Sequence, residues 1–150
     1  MAGVAPHAPP RVDAGGPAAG DPGPDLGGIP RGAVDSVLVA PFNDLAMTER
    51  IATDWSADLA AIIVEPLQRS IRPLPGFLAG LRDLAQRLGA ILIFDEVVTG
   101  FRLAYGGAQE YYGVVPDLAV YGKALTCGFS LAAIAGRADV MATADPARKG

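Results

Sequence analysis

From Ser36 onward the chain is built from short, uninterrupted apolar runs rather than alternating ones. Val37-Leu38-Val39-Ala40 reads as a short strand closed by Pro41, and residues 46–52 read as a short helix with Trp55 and Asp58 in the turn that follows. Ala60-Ala61-Ile62-Ile63-Val64-Glu65-Pro66 is a second strand, stopped by its proline. Its uniform apolarity suits a parallel sheet covered on both faces. Residues 67–74 read as a loop that exposes Arg69 and Arg72. The period then becomes helical. Phe77, Leu81, Leu84 and Leu88 fall on one face, and Arg82, Asp83, Gln86 and Arg87 on the other. The predicted helix spans residues 75–88, with Pro75 in its first turn and Gly89 as a left-handed cap. A strand over residues 91–94 follows at once, and strand, helix, strand at this length is a βαβ unit with a right-handed crossover. Runs at residues 118–121 and 131–135 bring the set to about five short strands. The predicted class is α/β with a mostly parallel sheet.

Residues 1–33 are dominated by Ala, Gly and Pro and carry neither period. Such a stretch buries too little apolar surface to offset its ordering entropy and is expected to be disordered. The predicted organisation is therefore a low-complexity segment, 1–33, followed by a folded region, 34–150. A chain of 150 residues is long enough for one domain with a core. A net charge of −4 and the absence of a basic cluster argue against a nucleic-acid partner and against a polybasic membrane patch. No apolar run approaches the ~20 residues of a membrane-spanning helix, and the N-terminus lacks the plan of a secretory signal. The single cysteine, Cys127, excludes an internal disulfide and fits a reducing compartment, so a cytoplasmic location is expected. Cys127 reads as a small loop residue, because the only histidine, His7, lies in the low-complexity segment.

The strand at 91–94 drives straight into Asp95-Glu96. Ligands of open α/β sheets bind outside the carboxyl ends of the strands, where such an acid would stand; a plain loop cap is the other reading. The next apolar run, Leu118-Ala119-Val120-Tyr121, is followed by Gly122-Lys123. An acid and an amine at the ends of neighbouring strands are the pair pyridoxal phosphate requires. The carboxylate keeps the pyridine nitrogen protonated, and the amine forms a Schiff base with the aldehyde. The same run also resembles a Walker B strand, whose acids hold magnesium, so a nucleotide- and metal-binding α/β module competes. That reading lacks its phosphate loop: no G-x-x-x-x-G-K-[ST] occurs, and Lys123 is followed by Ala124. No metal site is expected.

Several motifs run through the region 62–141: Ile63-Val64-Glu65-Pro66, Pro75-Gly76-Phe77-Leu78, Leu92-Ile93-Phe94-Asp95-Glu96-Val97-Val98-Thr99-Gly100-Phe101-Arg102, Tyr105-Gly106-Gly107-Ala108-Gln109, Pro116-Asp117-Leu118 and Gly122-Lys123. The lysine follows Asp95 by 28 residues. Together these resemble the class III aminotransferases of fold type I, and among them the glutamate-1-semialdehyde aminomutase branch. The resemblance implies the large, mostly parallel-sheet domain of a pyridoxal phosphate enzyme that transfers or shifts an amino group on a small amino acid or aldehyde. It implies that Asp95 meets the pyridine nitrogen, that Val97 packs on the ring face, and that Lys123 binds the cofactor and then moves a proton as base and acid. It also implies a homodimer with sites at the interface. Glu65 is expected to be structural, Glu96 to accept hydrogen bonds at the strand end, Arg102 to form a structural ion pair, and Gly106-Gly107 to form a tight turn.

The chain departs from that family in three ways. It is much shorter, and the Ser/Thr/Gly-rich loop that anchors the cofactor phosphate is missing from it. Val98 replaces a glutamine common in the wider family, which leaves the aminomutase branch open. Gly128-Phe129-Ser130 replaces a glycine-rich run. The chain therefore reads as a central fragment, and a catalytically inactive remnant is the alternative to an enzyme. The isolated chain is expected to be poorly soluble and to show little or no catalysis. An amino-transfer assay with added pyridoxal phosphate checks this, and robust turnover would contradict it.

Overall fold

The apolar runs pair side by side into a single four-stranded sheet. β1 (Ala61–Val64), β2 (Ile91–Asp95), β3 (Leu118–Tyr121) and β4 (Ala133–Gly136) lie in chain order. The structure, a computed structural model, describes residues 36–145, so the low-complexity segment 1–33 and residues 146–150 lie outside it. β1, β2 and β3 are parallel, with Val64 opposite Phe94, Phe94 opposite Ala119, and Asp95 opposite Val120. β4 returns antiparallel to β3, pairing Ala133 with Tyr121. The mixed α/β class and the mostly parallel sheet are as the sequence predicts. The last strand begins two residues later than expected.

The chain divides after Asp54 into two units. In the first, α1 (Leu45–Asp54) is longer than the predicted 46–52, because Asp44 caps it: its Oδ1 accepts from the Met47 N–H at 2.9 Å. Thr48, Ile51 and Ala52 are its buried residues. The strand expected at residues 37–40 is absent. A strand needs a partner, and no ladder among the described residues includes that segment, so Val37 stays half exposed.

In the second unit, α2 (Phe77–Leu88) starts two residues after the expected Pro75. Leu74-Pro75-Gly76-Phe77 instead forms a turn closed by a 3.0 Å bond from the Phe77 N–H to the Leu74 carbonyl. Gly76 takes φ 85°, the left-handed third position of a type II turn with proline before it. Gly89 is the left-handed C-cap predicted for it, with φ 68°. Phe77, Leu78, Leu81, Leu84 and Ala85 are buried, and α2 packs on β2 and β1. Along β2 the fully buried Leu92 and Phe94 alternate with half-buried Ile91, Ile93 and Asp95. Each fully buried residue of this kind contributes roughly 1.5–3 kcal/mol. Among the described residues the sheet expected to be covered on both faces is open on one. Ile63 in β1 is 65% exposed, because α2 covers only the other face. Two short helices carried too little period to be predicted, α3 (Gly107–Tyr112) and α4 (Ala138–Met141).

Asp117 stitches this unit together at the start of β3. It is 4% exposed. Its Oδ2 accepts from Arg82 of α2 at 2.7 Å and from the Leu92 N–H of β2 at 2.8 Å, and its Oδ1 accepts from Arg137 beyond β4 at 2.9 Å. Its own N–H and carbonyl bond Leu92 and Arg137. Burial acts to raise the carboxyl, but the bonds from Leu92, Arg137 and Arg82 outweigh it and hold Asp117 below the usual carboxylate range. A depressed acid stabilises the fold at pH above its unfolded value of about 4 and loses that contribution as pH falls through the folded value. Asp117→Asn is expected to cost about 3 kcal/mol in urea unfolding at pH 7. The gap from wild type should close as the pH is lowered towards 3, on the same reasoning.

Candidate active site

The parallel strands β2 and β3 end at the same level, and the expected chemistry stands there. Asp95 closes β2 opposite Val120, and Lys123 lies just past the end of β3. The Asp95 Oδ1 accepts from the Val97 N–H at 3.1 Å, which folds the chain sharply off the strand. No described residue donates to Oδ2. Val97 turns back towards the other strand end: a Cβ built on Gly122 would lie 3.5 Å from the Val97 Cγ1. The structure therefore brings Asp95, Val97 and the residue before Lys123 to one edge of the sheet.

Lys123 opens a short 3-10 turn, Lys123–Leu125, and is exposed. Its φ of 41° lies in the left-handed region, which a lysine enters only at a cost in steric energy. The Thr126 N–H and hydroxyl both donate to its carbonyl, at 3.1 and 3.0 Å. Asp95 and Lys123 form no ion pair with each other among the described residues.

Glu96 does more than the strand-end bonding expected of it. Its side chain is wholly buried. Oε2 accepts from the Thr99 hydroxyl at 3.0 Å and from the Ala108 N–H at 2.6 Å. Oε1 accepts from the Gln109 N–H at 3.2 Å and from its Nε2 at 3.4 Å. The tight turn expected at Gly106-Gly107 is present, closed by the Gly107 N–H donating to the Ala104 carbonyl at 3.1 Å, and it runs straight into α3, which those bonds pull in. Gly107 has φ 76°, and a Cβ there would collide with the Glu96 carboxylate, so only glycine fits. Gln109 also donates to the Tyr121 hydroxyl at 2.6 Å. Burial, with the Glu96 carboxylate adding to it, pushes the Tyr121 phenol above its ordinary value against that opposing bond. Sequence reasoning missed the Gln109–Tyr121 contact. The only signal was the single Gly106-Gly107-Ala108-Gln109 run beside Glu110.

The remaining expectations divide. Arg102 forms no ion pair among the described residues; it donates to the Val98 carbonyl at 3.0 Å, which closes its own turn. Among the described residues the Glu65 side chain receives a long bond, 3.5 Å, from the Arg69 N–H. Cys127 is exposed in the loop after Lys123. No group of potential metal ligands occurs among the described residues, and no described helix is long and apolar enough to cross a membrane.

The donor set suits two ends of pyridoxal phosphate. A carboxylate with an open oxygen fits the ring nitrogen, and an exposed amine fits the aldehyde. Among the described residues no comparable partner for the phosphate end stands beside them. The Thr99 and Thr126 hydroxyls already donate to Glu96 and to the Lys123 carbonyl.

The pattern of the aminotransferase class-III family matches residues 22–150. The chain belongs to that family, whose members are pyridoxal phosphate-dependent aminotransferases and aminomutases. It is 50% identical over 126 residues to glutamate-1-semialdehyde 2,1-aminomutase of Pelotomaculum thermopropionicum, covering 82% of this chain and 29% of that protein. The fold matches an omega-transaminase from Sphaerobacter thermophilus at 43% identity with a TM-score of 0.77, over 83% of this chain and 29% of the other. It also matches a transaminase with PLP bound at 32% identity and a TM-score of 0.77, over 82% and 30%. The chain thus spans less than a third of the length of these relatives.

Replacing one Glu96 oxygen by an NH2 group sets a donor against the donors around it. Glu96→Gln is expected to lose about 2 kcal/mol of stability, read as a lower urea midpoint. It should also raise proteolytic cleavage within residues 97–112.

Proposed function

We propose that this chain is part of an enzyme that transfers or shifts an amino group on a small amino acid or aldehyde with pyridoxal phosphate. The placement of an acid and an amine at the ends of adjacent parallel strands carries this reading. Residues 34–150 would form part of a large cofactor domain. In this assignment Asp95 would hold the ring nitrogen as an ion pair, and Val97 would orient the ring by shape. Lys123 would hold the cofactor through its amine and would move a proton at the substrate's α-carbon. When bound, the cofactor supplies an electron sink that makes that α-hydrogen acidic. The similarity to an aminomutase favours a shift within one molecule. A homodimer in the cytoplasm is the assembly and location we assign. A second reading, a remnant that binds the cofactor weakly without turnover, is favoured by the engagement of Thr99 and Thr126 elsewhere.

Lys123 and Lys149 are the only lysines, so labelling is easily mapped. With added pyridoxal phosphate the chain is expected to gain a shifted visible band. After borohydride reduction, peptide mapping should place the adduct on Lys123, and Lys123→Ala should abolish it. Asp95→Asn should weaken cofactor binding at least about tenfold, the loss of a charge-assisted bond. Equal labelling of Lys149 would overturn the assignment of Lys123.

A further inference from the structure

Tyr121 is the last residue of β3, two positions before Lys123, and it is held at both ends. At its backbone end, the Val120 carbonyl accepts from the Glu96 N–H at 2.9 Å. At its far end, the hydroxyl accepts from the Gln109 Nε2 at 2.6 Å, and Gln109 in turn bonds the buried Glu96 carboxylate. These links close a ring: Glu96 to Val120, Val120 to Tyr121 through the chain, Tyr121 to Gln109, Gln109 back to Glu96. The aromatic ring between the ends is confined. Phe101 lies 5.7 Å away between centroids, and Gly100 presses its bare α-carbon on the ring edge, where a Cβ would come within 2.7 Å of Cδ1.

We propose that Gln109 and Tyr121 are positioning residues for Lys123, fixing the turn from which its amine is presented to the cofactor. The inference rests on the assignment of Lys123 as the cofactor lysine. Its physical basis is the conformation of that residue. A lysine at φ 41° stays there only where the chain on both sides prescribes it. Downstream, Thr126 grips the Lys123 carbonyl twice. Upstream, Gly122 lies against Val97, and Tyr121 is the anchor before it. If the Tyr121 side chain were released, the upstream side of the strained residue would keep only its backbone pairing with β4 and the Gly122–Val97 contact. The alternative is that the Gln109–Tyr121 bond merely fastens α3 to the sheet.

The test uses the 150-residue chain with Tyr121→Phe, Gln109→Ala, the double variant, and Arg82→Met as a destabilised control remote from the turn. Hydrogen–deuterium exchange by mass spectrometry compares the fragment carrying the Leu125 and Thr126 amides with the one carrying Leu92. The Lys123 to Lys149 labelling ratio is measured alongside, by pyridoxal phosphate and borohydride. Each single variant is expected to speed exchange at Leu125 and Thr126 about five- to tenfold, the effect of one hydrogen bond, with Leu92 little changed. The double variant should do no more than either single one, and Arg82→Met should not single out the turn. The labelling ratio should fall in the same variants. Unchanged exchange at the turn, or exchange that moves only in step with Leu92, would overturn the proposal. Should Gln109→Ala fail to fold, Tyr121→Phe decides, because it keeps the ring. Wild-type labelling spread over both lysines, with the turn still loosened by the variants, would instead remove the cofactor assignment and leave the clamp standing.

Discussion

A carboxylate with no exposed surface, Glu96, dictates the shape of everything at the carboxyl end of this sheet. Leaving such a group without donors costs several kcal/mol, so the chain around it has to supply them. It does so with one hydroxyl, two backbone N–H groups and a side-chain amide. That demand folds residues 97–106 into a loop, starts α3 at a glycine, and keeps the main chain from drifting off the end of β2. Asp95 and Val97 flank Glu96 and inherit their directions from it.

The sheet thus has one buried acid at each end, and the two are satisfied differently. Asp117, at the amino end of β3, meets two arginines and a backbone N–H and joins four elements of one unit. Glu96, at the carboxyl end, meets only neutral donors, all from the loop and helix that follow it. The first arrangement fastens strands and helices to one another. The second shapes a surface, and it stands where the cofactor-binding reading needs a shaped surface.

Much of this was legible in the sequence, and the failures share one cause. The helix at 77–88 announced itself through Phe77, Leu81, Leu84 and Leu88, and β2 and β3 through runs too apolar to lie elsewhere. Asp95 and Lys123 stood out because each ends such a run. What was missed depends on partners distant in sequence. α3 has six residues and begins with glycine, so its own pattern is silent; a carboxylate at Glu96 holds it. The segment 37–40 has the composition of a strand and no strand to pair with. The open face at Ile63 and the antiparallel turn into β4 are facts of assembly rather than of local pattern. The role of Tyr121 is hidden for the same reason, since its ring reads simply as one more apolar residue in a run.

The reversal of direction at β4 carries one more consequence. Parallel neighbours must be joined by long crossovers, and here these contain α2 and the α3 region. The antiparallel pair β3–β4 is joined only by the turn that holds Lys123 and a short loop. Closing the β3–β4 connection costs less chain entropy than closing a crossover. The turn that carries the lysine is therefore held by contacts close in sequence, whereas Asp95 reaches it only through the pairing of β2 along β3. A candidate site that looks like a single constellation is two pieces of different range, one local and one dependent on a single strand pairing.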